Sequence, residues 1–257
     1  MHTSKKVFIT ILLLIECFIF ILTIGWQFRG SALNHVKVQQ RSTATVFCPG
    51  YGGNAVSTDD FIEQFNTHRI ARRALRIYVD TNNHISTMHK YHKVANNNPL
   101  VQLIFKDNTH PNRQANQMPY VMRYLYKVYH IKSVNLIGHS SGGNIGFDYM
   151  LNHPNLKDVP KVNKFVSIAA NYKIPDRKVK NLPKNLKILN IAGEIYNLGT
   201  DGEVPVKTVS PMKKLVDGHV ASYQFYVYRS NPLAAEHSML HENPQLDKVI
   251  AEFLFNE

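Results

Sequence analysis

The residues best placed to do chemistry are Gly138-His139-Ser140-Ser141-Gly142, inside the stretch SVNLIGHSSGGNIG. The spacing is G-x-S-x-G, with an apolar run before it and a helix-compatible run, NIGFDYMLNH, after it. A serine on a sharp strand-to-helix turn is held at strained backbone angles, with its Oγ pushed above the sheet edge. The residues two before and two after it then lie very close together, and glycine suits both places. The N-terminus of the following helix points at the same spot, where it favours developing negative charge. Such a serine could attack an acyl carbonyl. Ser140 is the candidate nucleophile.

That chemistry needs a base, a group to orient the base, and two backbone N–H donors for an oxyanion. One donor would be the N–H of Ser141, the residue after the nucleophile. The other would come from FCPGYGG, Phe47 to Gly53, where a glycine-rich turn after an early strand brings the N–H of Tyr51 close. Read alone, PGYGG is only a turn. In the fold type suited to G-x-S-x-G, the acid follows the nucleophile on a loop after a late strand, and the histidine comes last. Asp201, in the Thr-Asp-Gly turn of IAGEIYNLGTDGEVP, is the leading acid, with Glu194 and Glu203 as rivals. His237, in AAEHSMLHENP, is the candidate base. His241 lies four residues further on, but no H-E-x-x-H pattern accompanies the pair, so no metal and no cofactor is expected. His84, His89, His92 and His110 are scattered over polar segments and read as surface residues.

These groups require a scaffold that delivers them from distant parts of the chain. TATVFCPG, ALRIYVD, NPLVQLIFKD, SVNLIG, KFVSIAA, LKILNIAG and SYQFYVY read as strands. DDFIEQFNTHRIARR, MPYVMRYLYKVYH, NIGFDYMLNH and QLDKVIAEFLF carry helical spacing. The alternation predicts an α/β fold, with a mostly parallel central sheet and helices on both faces. Between ALRIYVD and NPLVQLIFKD the pattern is turn-rich and assigns no element.

The N-terminus is of a different kind. Lys5 and Lys6 precede VFITILLLIECFIFILTIGW, Val7–Trp26, twenty residues interrupted only by Glu16 and two threonines. That length spans a bilayer as a helix, and the lysines would keep their end in the cytoplasm. The expectation is one N-terminal transmembrane signal anchor over 1–26, a linker over 27–43 and a catalytic domain over 44–257, facing outward. A cleaved signal peptide is the competing reading, since Gly30–Ala32 offers small residues. Cys17 and Cys48 lie too far apart in character to pair, and LIEC lacks the small residues expected before a lipidated cysteine.

The 257 residues carry a net charge of +12, and three basic residues against one acidic in the first thirty leave +10 for the rest. Such a field favours an anionic cell-wall polymer or lipid headgroups. No RNP-like, zinc-finger or helix-turn-helix pattern supports nucleic acid as a partner.

FCPGYGG, NLIGHSSGG, TDGEVP and AEHSMLHENP, behind an apolar N-terminus, resemble the exported cell-surface α/β-hydrolases of Gram-positive bacteria, grouped by a domain of unknown function. The resemblance runs from about Thr43 to the C-terminus. It implies an α/β-hydrolase fold and maps Ser140, Asp201 and His237 onto the triad. Two positions depart from the family pattern. Pro49 replaces the histidine of His-Gly-Tyr, which alters how the oxyanion loop is supported, and Thr200 replaces the serine before Asp201. The expected activity is hydrolysis of a small-molecule or lipid ester. An acyltransferase, or an idle domain that binds an anionic partner, would fit the same residues, and the resemblance names no substrate.

Overall fold

A computed structural model describes residues 2–173 and 178–256; in the first helix, side chains are described for residues 7–20. Eight strands form one sheet: β1 (Ala44–Cys48), β2 (Arg72–Val79), β3 (Ile85–Lys90), β4 (Pro99–Phe105), β5 (Ser133–His139), β6 (Lys161–Ile168), β7 (Lys187–Ile195) and β8 (Ser222–Ser230). Their order is β3-β2-β4-β1-β5-β6-β7-β8. All neighbours run parallel except β2 and β3. Every residue of β1 is buried, as expected of a central parallel strand covered on both faces.

The helices are α1 (His2–Arg29), α2 (Val56–Thr67), α3 (Pro111–Tyr129), α4 (Ser141–Asn152), α5 (Val206–Val209), α6 (Met212–Val216), α7 (Pro232–Ala235) and α8 (Pro244–Phe255). α3, α4 and α6 cover one face, burying Met118, Leu125, Ile145 and Met212 against the sheet. α2 and α8 cover the other, through Phe61, Phe65, Ile250 and Leu254. The ring of Phe65 lies edge-on to that of Phe255, 6.0 Å away, and joins these two helices. Leu33, in the stretch read as a linker, is buried in the same layer.

The structure departs from the sequence reading at several places; α3, whose helical spacing was read from Met118, begins at Pro111. The spacing through DDFIEQFNTHRIARR suggests a helix into Arg73, but α2 ends at Thr67. Arg69 adopts a left-handed φ of 57°, and the buried Ile70 and Ala71 lead into β2 rather than extending the helix face. The unassigned turn-rich stretch contains β3, a polar edge strand that hairpins back on β2.

The expected transmembrane helix is not carried by the structure. The segment is helical within α1, and its apolar side chains over residues 7–20 are exposed, but residues 21–26 of the run lie outside those whose side chains are described. Among the described residues, no helix is long and apolar enough to cross a membrane. Both cysteines are free, and burial pushes the Cys48 thiol up to about 12.

Candidate active site

β1 and β5 are adjacent, with Cys48 in register with Gly138. The chain leaves β1 for α2 on one face and leaves β5 for α4 on the other. Between two such connections a crevice opens at the carboxyl ends of the strands. Ser140 stands there as the N-cap of α4, at φ 54° and ψ −129°. For a side chain other than glycine this is a strained conformation, costing about 1–3 kcal/mol. Its surroundings hold it: the Ser140 N–H donates to the Ile168 carbonyl at 2.8 Å, and its carbonyl accepts from the Gly143 N–H at 2.9 Å. The flanking glycines are sterically required. A Cβ on Gly138 would overlap the Gly142 carbonyl, and one on Gly142 would overlap that of Cys48.

The Pro49–Gly53 turn closes over the same crevice. A Cβ on Gly50 would lie 3.2 Å from the His139 carbonyl oxygen and 3.4 Å from Ser140 Cβ, so glycine lets this backbone approach Ser140. Support comes from Asn108, which the sequence reading does not single out. The Gly52 N–H donates to the Asn108 carbonyl at 2.7 Å, and the Asn108 amide donates to the Gly52 carbonyl at 3.0 Å. Among the described residues, the N–H groups of Tyr51 and Ser141 donate no hydrogen bond and so remain available as oxyanion donors.

The three candidate acids separate by what they touch. Asp201 is fully buried. Its Oδ1 accepts from the N–H groups of Glu203 at 2.9 Å and Val204 at 2.6 Å, and its Oδ2 lies 2.8 Å from His237 Nδ1. A carboxylate only accepts, so Nδ1 carries the proton and Nε2 keeps the lone pair. Glu194 is engaged elsewhere, 2.6 Å from Arg229 and accepting from the Gly199 N–H at 3.0 Å, where it braces the loop that leads to Asp201. Glu203 is exposed, and its Oε2 lies 3.6 Å from His237 Nε2. Burial pulls the His237 pKa down. The hydrogen bond and charge of Asp201, with the charges of Glu203 and Glu236, outweigh it, and the net shift is upward from 6.5.

Two further histidines complete the interior. His139 Nε2 donates to the His237 carbonyl at 2.9 Å. Burial, then the neighbouring His241 and His237, hold the His139 pKa well below 6.5, so this ring is neutral. The His139 ring centroid is 4.5 Å from that of His237 and 4.4 Å from that of His241. His139 thus packs against both His237 and His241. Among the described residues, no group of three metal-ligating side chains could hold an ion. The place of His139 was hidden in the variable position of G-x-S-x-G. The only sequence signal is a histidine immediately before a candidate nucleophile.

Ser140, His237, His241, Tyr51, Phe47 and Glu203 share the walls of a cavity of about 330 Å³, with Asp201 behind His237. A larger cavity of about 560 Å³ lies at the other end of the sheet, beside Lys161 at the start of β6, and contains none of these residues.

A mostly parallel eight-stranded sheet carrying a serine on the β5–α4 turn defines an α/β-hydrolase fold. Solved structures agree on the fold. The product of gene lin2722 of Listeria innocua is 24% identical, with a TM-score of 0.75 over 84% of this chain and 94% of that one. A Lactobacillus plantarum protein described as a cell surface hydrolase is 20% identical, with a TM-score of 0.68 over 83% and 90%. A carboxylesterase of Mesorhizobium loti is 12% identical, with a TM-score of 0.52 over 84% and 90%. The curated proteins contain no match. The profile of the family "Alpha/beta hydrolase of unknown function (DUF915)" matches residues 33–181 and 172–257, and the chain belongs to that family.

Proposed function

We propose that the protein is a serine hydrolase that cleaves carboxylic esters through an acyl-enzyme on Ser140. The observation that carries this reading is the placement of a strained Ser140 in one cavity with His237, whose Nδ1 is held by the buried Asp201. In the first half-reaction, Ser140 Oγ bonds to the acyl carbon and passes its proton to His237 Nε2. The bond to the leaving oxygen then breaks, and His237 hands it that proton. In the second, water gives a proton to His237 and bonds to the acyl carbon. The bond to Ser140 Oγ breaks, and the serine recovers its proton. The N–H groups of Tyr51 and Ser141 hold the oxyanion in both halves, and Asp201 stabilises the imidazolium.

The apolar segment Val7–Trp26 anchors the chain in a membrane, with Lys5 and Lys6 inside and the hydrolase domain outside. Its support is the length and composition of the run and the exposure of residues 7–20. The basic surface of the domain faces anionic headgroups or wall polymer. Protease accessibility of the domain in intact cells tests the orientation.

Hydrolysis of activated short-chain esters by the wild type and by Ser140→Ala tests the chemistry. Turnover that disappears in Ser140→Ala supports the proposal. Equal rates for the two proteins would leave an idle binding domain, and acyl transfer to an added alcohol in preference to water would make it a transferase.

A further inference from the structure

Resting on the proposed ester hydrolysis, we propose that Glu203 is a specificity residue that selects esters whose alcohol part carries a cationic nitrogen. Three observations converge on it. The first is position. In the mechanism above, His237 Nε2 delivers its proton to the leaving oxygen, so whatever lies beside Nε2 faces the departing alcohol. Glu203 Oε2 is 3.6 Å from that atom.

The second is charge. Among the described residues that line the cavity holding Ser140, Glu203 is the one carboxylate, and no lysine or arginine lines it. The protein is strongly basic, with a net charge of +12, so an acidic group at this point runs against the general field. Its main chain is fixed by the catalytic acid itself, because the Glu203 N–H donates to Asp201 Oδ1 at 2.9 Å. The backbone from which the carboxylate extends is therefore anchored beside the reacting atoms, and the side chain itself is 65% exposed. Tyr51, an exposed aromatic residue, lines the same cavity, and aromatic faces attract cations.

The third is room. Glu203 also borders a second, wider depression of about 840 Å³, walled by Leu198, Val206, Val227 and Lys207. The other carboxylate there, Glu194, is already paired with Arg229 at 2.6 Å. Because Glu203 lines both cavities, this depression is the room next to it for a larger body attached beyond the cation.

The test compares three acetate esters on the full-length chain: 2-(trimethylammonio)ethyl acetate, its uncharged isostere 3,3-dimethylbutyl acetate, and the anionic 3-carboxypropyl acetate. The readout is the ratio of kcat/KM values within each protein, in which any change in His237 ionisation cancels because all three esters meet the same free enzyme. The wild type is expected to favour the cationic ester over the isostere by roughly three- to fivefold, the scale of one partly exposed ion pair. Glu203→Gln is expected to bring that ratio to about one, and Glu203→Lys to favour the anionic ester by a similar factor. A wild type that prefers the isostere, or a cationic preference unchanged in Glu203→Gln, overturns the assignment. If the isostere is cleaved in a Ser140-dependent way in that case, the failure belongs to Glu203 alone. If none of the three esters is cleaved, both the selectivity and the esterase reading fall.

Discussion

His237 Nδ1 and Asp201 Oδ2 lie 2.8 Å apart, and the Asp201 carbonyl also accepts the His237 main-chain N–H at 3.0 Å. One residue thus fixes both the ring and the backbone of the other. His139 fixes the remaining main-chain group, donating from Nε2 to the His237 carbonyl at 2.9 Å. His237 is held from three directions, and it lines the cavity that contains Ser140.

Asp201→Asn separates the electrostatic part of this joint from its architecture. The amide oxygen can keep the N–H groups of Glu203 and Val204, so the loop should fold as before. The amide N–H would face Nδ1 and push the imidazole proton to Nε2, the wrong tautomer for a base. The turnover number on an activated ester is expected to fall by about a thousand- to ten-thousandfold, with thermal unfolding little changed.

The pH profile of kcat/KM follows from the raised His237 pKa. The base works only when neutral, and a raised pKa keeps it protonated to a higher pH. Activity should therefore rise with pH through a limb above 6.5. Glu203→Gln removes one of the charges that stabilise the imidazolium, and the limb should move to lower pH. Steady-state rates across the pH range measure both.

His241 sets an opposite dependence for stability. Burial, assisted by the charge of His237, pushes its pKa down to about 4, while the unfolded chain titrates near 6.5. The unfolded state therefore binds the proton that the folded state refuses. Stability should fall as pH falls from about 6.5 towards 4, by ~3 kcal/mol for this group. Urea melts at a series of pH values would show it, and His241→Phe should reduce the slope while leaving the contribution of His139, whose pKa is also held well below 6.5.

Gly142→Ala probes the turn itself. The added methyl would overlap the Cys48 carbonyl, which belongs to a fully buried central strand and has nowhere to move. A loss of about 3 kcal/mol or more is expected in chemical denaturation, together with lost activity.

The cavity at Ser140, about 330 Å³, is small, and its described walls hold no long aliphatic side chain. Acetyl and butyryl esters should be cleaved faster than decanoyl esters of the same alcohol, and a chain-length series of activated esters reads this directly.

The legible parts of this molecule were those set by local sterics and by burial. VFC, NLIG and ILNIA read as strands because central parallel strands are apolar over most of their length. G-x-S-x-G read as a turn because its two glycines answer to backbone contacts within a few residues. β3 was not legible because ISTMHK is a polar edge strand with no buried face to give it a period. The preference for Asp201 over Glu194 and Glu203 rested on its turn lying past a late strand, and what each carboxylate touches depends on where β7 ends. The strand runs to Ile195, which leaves Glu194 within it and places Asp201 beyond the turn. His139 and Asn108 act through partners 98 and 56 residues away, distances at which no local pattern survives. The apolar N-terminus was legible as a run of residues, and the proposal of a membrane anchor rests on that run.

The central claim is that Ser140 is an activated nucleophile. Incubation of the protein with a fluorophosphonate, followed by peptide mass spectrometry, tests it most directly. A single covalent adduct on the peptide containing Ser140, absent in Ser140→Ala and strongly slowed in Asp201→Asn, is the expected result. No adduct on the folded wild type, or an equal adduct in Ser140→Ala, would contradict the account.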